Sequence, residues 1–203
     1  MKNALKSLGS LFLSLLLLFP NQAVPKEGPQ EDRVETLSLL LQHLQPKLKD
    51  TSAKELAQVI LKEASINQLD WKLIVSILNQ ESSLRRDPQG CLKNADDCTG
   101  DYGIAQVRYK IWKDEFGLKK EDKKRLMTDY AYAVGTQVRI LVHYREKYQN
   151  REFNWFTRYH SGTPEFRAVY MRHLNKSYEK INLFLESHYA KLNAQEAQKV
   201  ASK

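Results

Sequence analysis

The chain has 203 residues, enough for one well-buried domain and short for two. Hydrophobic residues make up 42% and charged residues 28%, which excludes collagen-like, coiled-coil and wholly disordered chains, and 8 glycines with 6 prolines are too few for the turns of an all-β barrel or sandwich. The net charge of +8 suits an anionic partner or plain solubility; Lys and Arg are dispersed among Asp and Glu without a basic, aromatic-interleaved cluster, so nucleic acid is not the expected partner.

Residues 1–23 read as a secretory signal peptide: Lys2 and Lys6, an apolar run over 8–19, and Pro20 before the small Ala23. The apolar run is short for a bilayer span, which takes about 20 residues. The expected mature chain is therefore exported and without a membrane span, and a monomer is expected. Residues 24–33 are Pro- and charge-rich and read as a linker. One domain is expected over 34–189, all-α, with no strand-like alternation of any length.

Val34, Leu37, Leu40, Leu41, Leu44 and Leu48 share one helical face, and Ser52 with Glu55 forms a capping-box pattern ahead of Leu56, Val59 and Ile60. Asp70 can cap a third helix through Leu73, Ile74, Ile77 and Leu78 that ends at Gln80-Glu81-Ser82-Ser83. Residues 85–106 form a long loop holding Cys91, Cys98 and three of the eight glycines. In an exported chain the two cysteines would oxidise to a disulfide bracing that loop. Helical patterning resumes at Tyr109, and a single long helix is expected over 122–148. A short aromatic segment follows over 150–159. Thr163-Pro164-Glu165 opens the last long helix, through Phe166, Tyr170, Leu174 and Ile181. Residues 190–203 read as a polar, frayed tail.

Glu81 is the first candidate for chemistry, because it ends an apolar helix and faces a Gly-rich loop. A partly desolvated carboxyl at such a position can keep a proton for donation to a leaving oxygen. The bland alternative is an ion pair with Arg85 or Arg86, one turn on. No cofactor or metal is expected: C-x-x-C and H-E-x-x-H are missing, the five histidines are scattered, and Cys98 stands where a calcium loop needs oxygen.

The order Gln80-Glu81-Ser82-Ser83, Gly103-Ile104-Ala105-Gln106 and Tyr159-His160-Ser161-Gly162 resembles the catalytic domain of the soluble lytic transglycosylase family. That family carries a Glu-Ser pair, a Gly-Leu-Met-Gln segment and an Ala-Tyr-Asn segment on an α-helical, lysozyme-like fold. The likeness runs over about residues 65–182 and includes Ala133-Val134-Gly135 and Pro164-Glu165-Phe166-Arg167. It implies a peptidoglycan lytic transglycosylase of a bacterial periplasm or cell envelope, acting on glycan strands. It makes Glu81 the acid and base, with Ser82 supporting it, Gln106 lining the cleft and Tyr159 hydrogen-bonding the carboxyl. Tyr170 would match a second family tyrosine, and Gly103 would let the backbone approach a sugar. Family Leu-Met is here Ile104-Ala105, expected to widen the cleft wall, and family Asn is His160, which could donate to substrate or add pH sensitivity.

Two alternatives stay open. A goose-type, lysozyme-like muramidase would need a second acid to activate water, for which Asp96, Asp97 and Asp101 are the candidates. A non-catalytic, exported peptidoglycan-binding module would need no desolvated acid at all.

Overall fold

A computed structural model of the chain describes residues 30–89 and 100–202. The fold is all-α. Its helices are α1 (Gln30–Leu44), α2 (Asp50–Asn67), α3 (Trp71–Ser82), α4 (Tyr109–Phe116), α5 (Asp122–Thr128), α6 (Tyr130–Tyr148) and α7 (Pro164–Ala201). A 3₁₀ helix, Trp155–Tyr159, connects α6 to α7. A hairpin of two-residue strands, β1 (Asp101–Tyr102) and β2 (Val107–Arg108), pairs antiparallel with Tyr102 opposite Val107. The leader, Cys91 and Cys98 with the disulfide expected between them, Asp96 and Asp97 lie outside the described residues.

The centre of the molecule is α3. Leu73, Ile74, Val75, Ser76, Ile77 and Leu78 are buried in unbroken succession, and a helix buried all round must have neighbours on every side. Asp70 caps it as expected, accepting from Lys72 N–H at 2.9 Å. Each buried Leu or Ile stabilises the packing by about 1.5–3 kcal/mol, so the end of α3 is held in a rigid frame.

That end is sharply made. Ser83 and Leu84 both take left-handed backbone angles (φ 52° and 60°), which L-residues adopt at a cost of about 1–2 kcal/mol each. Burial of Leu84 and a 2.8 Å hydrogen bond from the Gln45 amide to the Ser83 carbonyl offset it. The chain therefore turns away directly after Glu81 and Ser82.

Four local expectations differ. α2 starts at Asp50 with Lys49 as N-cap, so Ser52 lies inside the first turn and makes no cap. The helix expected over 122–148 is broken at Asp129, whose extended backbone lets its carboxylate cap α6 by accepting from Tyr132 N–H at 3.0 Å. Residues 101–108 form the hairpin where no strand was expected. The expected frayed tail is instead helical: α7 runs 38 residues to Ala201, and its last turns are exposed. Ala190, Leu192, Ala194, Gln195 and Ala197 are strong helix formers, and nothing in that stretch ends a helix.

Candidate active site

Glu81 sits on the last turn of α3, its side chain 15% exposed at the wall of a cleft of about 140 Å³. Asp101 and Arg108 from the hairpin, Gln106 from its turn, Tyr159 from the end of the 3₁₀ helix and His160 just after it line the same cleft. Ile111, Trp112 and Tyr144 add an apolar wall. Neither nearby arginine pairs with Glu81: Arg86 reaches Glu55 at 3.4 Å and covers the Tyr130 ring, and Arg85 donates to the Ser82 carbonyl.

The carboxyl is addressed from α7. Tyr170 O–H donates to Glu81 Oε1 at 2.7 Å, and the Tyr170 ring, 2% exposed, stacks on His160 at 4.6 Å with planes 4° apart. His160 Nδ1 lies 3.7 Å from the same oxygen. Burial, with Glu81 alongside, pushes the Tyr170 phenol well up, so it stays a hydrogen-bond donor. Glu81 raises the His160 imidazole above its ordinary value, against burial and Arg108, with Asp101 adding in the same direction.

Several sequence expectations are corrected. Tyr159 does not bond Glu81; its phenol donates to the Ala105 carbonyl at 2.6 Å and ties the 3₁₀ helix to the hairpin turn. The hydrogen bond to the carboxyl that was expected of Tyr159 is made by Tyr170 instead. Ser82 is buried and donates back to Leu78 carbonyl at 3.0 Å within its own helix, making no contact with the carboxyl. Gly103 approaches protein, not sugar: with φ at 72°, a Cβ there would lie 1.7 Å from the Leu126 carbonyl oxygen. Ile104 and Ala105 are buried in the core, so neither shapes the cleft wall.

Gln106 lines the cleft as expected, but its amide is occupied, donating to Gly103 carbonyl at 2.8 Å and accepting from Gln89 at 2.9 Å. With φ at 47° it is the strained corner of the hairpin turn. Asp101 lines the cleft held by Arg108 at 3.1 Å across the hairpin. Among the described residues no group of three His, Cys, Asp or Glu side chains could hold a metal ion, and no helix is long and apolar enough to cross a membrane.

Sequence reasoning missed Arg108, Trp112, Tyr144 and Arg158 as lining residues. No motif marks them; they arrive from separate elements, and only the apolar spacing of α4 and α6 hints at Trp112 and Tyr144. Taken together, the arrangement presents one half-dry carboxyl with a phenol and an imidazole on one oxygen, facing an open cleft with polar and apolar walls. No family model, no curated protein and no solved structure matches this chain.

Proposed function

We propose that the protein is a peptidoglycan lytic transglycosylase, exported to the bacterial envelope, cleaving the bond between N-acetylmuramic acid and N-acetylglucosamine. The observation that carries this reading is Glu81 at 15% exposure in the cleft with Tyr170 O–H at 2.7 Å. The ordered resemblance of the Glu81-Ser82, Gly103 to Gln106 and Tyr159-His160 segments supplies the reaction class.

Tyr170 and His160 both address Oε1, which leaves Oε2 to carry the proton and meet the substrate. Glu81 passes that proton to the bridging oxygen as the bond to the muramyl C1 breaks and positive charge develops on that sugar. The Tyr170 hydrogen bond strengthens as the acid becomes a carboxylate, and a protonated His160 adds Coulombic stabilisation. The carboxylate then takes the proton of the same sugar's C6 hydroxyl while its oxygen bonds to C1 and closes a 1,6-anhydro ring. No water is consumed, Glu81 regains its proton, and the tethered nucleophile replaces a second carboxylate.

The hydrolytic muramidase reading has one observation in its favour, Asp101 lining the same cleft, although that carboxylate is engaged by Arg108. Digestion of purified murein sacculi separates the two. Muropeptides with anhydro ends, one water lighter than reducing ends, support the transglycosylase; reducing ends support hydrolysis. Release by a Glu81→Gln variant at the wild-type rate would overturn both.

A further inference from the structure

Two segments deliver the groups around Glu81. The 3₁₀ helix brings Tyr159 and, one residue past its end, His160, and the first turns of α7 bring Tyr170. Nothing in the sequence of either explains why they meet at a fixed distance: Gly162 lies between them, and Thr163 makes no side-chain cap at the start of α7.

Besides the stacking of His160 on Tyr170, one carboxylate bridges the two segments. Glu152, four residues past the end of α6, accepts from Arg158 through Nε at 2.9 Å and through Nη2, and from Arg167 through Nη1. Arg158 directly precedes Tyr159, and Arg167 lies three residues, under one helical turn, before Tyr170. All three side chains are largely withdrawn from water, at 23% exposure for Glu152, 19% for Arg158 and 12% for Arg167. The Arg158 guanidinium also sits 3.7 Å over the Tyr148 ring, which fastens the cluster to the end of α6. We infer that Glu152 is a positioning residue of this site, a clamp between the 3₁₀ helix and α7 that sets where His160 and Tyr170 stand relative to Glu81.

The chemistry favours a carboxylate here. Two planar guanidiniums need an acceptor with two oxygens and a negative charge, and the fork geometry of arginine fixes orientation as well as distance. The two arginines hold the Glu152 carboxyl down to about 2, against the opposing effect of burial, so the clamp stays charged across the working pH range. A glutamine has one acceptor oxygen, and its amide N–H groups would face a guanidinium donor. It could hold one arginine, not both.

The catalytic half of this inference rests on the transglycosylase reading; the geometric half does not. The full-length protein is therefore tested in two ways, by muropeptide release from sacculi and by NMR titration of the His160 ring. The groups facing His160 are Glu81 on α3, Asp101 and Arg108 on the hairpin, and Tyr170 on α7. In Glu152→Gln, kcat is expected to fall about five- to tenfold with KM within about twofold, since a Tyr170 and His160 displaced from Glu81 no longer stabilise its developing carboxylate fully. The His160 titration is expected to move down toward the ordinary histidine value as the ring leaves Glu81.

Arg167→Met provides the second variant, keeping the Glu152–Arg158 pair should Glu152→Gln fail to fold. Loss of a nearby cation would by itself raise the His160 titration, whereas loosening α7 lowers it, so the two effects have opposite signs. A lowered titration with lowered kcat supports the clamp. An unchanged or raised titration in a folded Arg167→Met variant overturns it. A wild-type protein that releases nothing from sacculi counts against the transglycosylase reading, while the titration still decides the clamp.

Discussion

Replacing Tyr170 with Phe removes one oxygen atom and little else. The ring, 2% exposed and stacked on His160, stays in place, and only the 2.7 Å hydrogen bond to Glu81 Oε1 is lost. A hydrogen bond to a charged group contributes about 1.5–3 kcal/mol, and one between neutral groups about 0.5–1.5 kcal/mol. Only the difference accelerates chemistry, because in the reacting substrate complex the phenol already bonds the acid before it gives up its proton. That difference is about 1–1.5 kcal/mol, which corresponds to a roughly five- to thirteenfold fall in kcat with KM nearly unchanged. The assay is the initial rate of anhydro-muropeptide release from sacculi at saturating substrate. Tyr159→Phe is the matched comparison, since that phenol bonds the Ala105 carbonyl instead of Glu81. A Tyr170→Phe variant within twofold of wild type, or a larger loss in Tyr159→Phe, would refute the assignment of the carboxyl's partner.

Gly103→Ala places a Cβ against the Leu126 carbonyl at a left-handed backbone position, and is expected to destabilise the fold by about 2–5 kcal/mol in urea unfolding; a change under about 1 kcal/mol would contradict the close approach. Glu152, held at about 2 against an ordinary 4.5, contributes stability that is fully present above pH 4.5 and is lost as pH falls toward 2. The stability gap between wild type and Glu152→Gln should therefore shrink over that window, and a constant gap would show that the arginines do not hold the carboxyl. For His160 the sign is reversed, because Glu81 raises its folded value: its pairing is present below the ordinary histidine range and fades as pH rises through the raised value. The thermal midpoint of wild type relative to His160→Asn should decline from acid toward alkaline pH, and a difference growing with pH would exclude the ion pair.

The helices were legible where one local signal sufficed. Leu37, Leu40 and Leu41 repeat at helical spacing and are buried, and Asp70 caps α3 through its own carboxylate. Asp129 carried the same kind of signal inside a stretch read as one helix, and the hydrophobic pattern running through it on both sides hid the break. At the cleft, Glu81, Gln106, Tyr159 and His160 were legible because motifs mark them. Ser82, Gly103 and Ile104 belong to those motifs too, yet they serve the frame: an in-helix bond, a close backbone approach and a core contact.

The amino-acid sequence alone determined the helical class, the central apolar helix and the acid at its end, since periodicity and capping act between residues a few positions apart. Tertiary structure alone decided which tyrosine meets that acid, 89 positions away in the chain, and which carboxylate clamps the segments bearing its neighbours. The reason is physical: a hydrogen bond across the core depends on how whole helices pack, and packing is settled by the sum of many weak contacts that no single residue type announces.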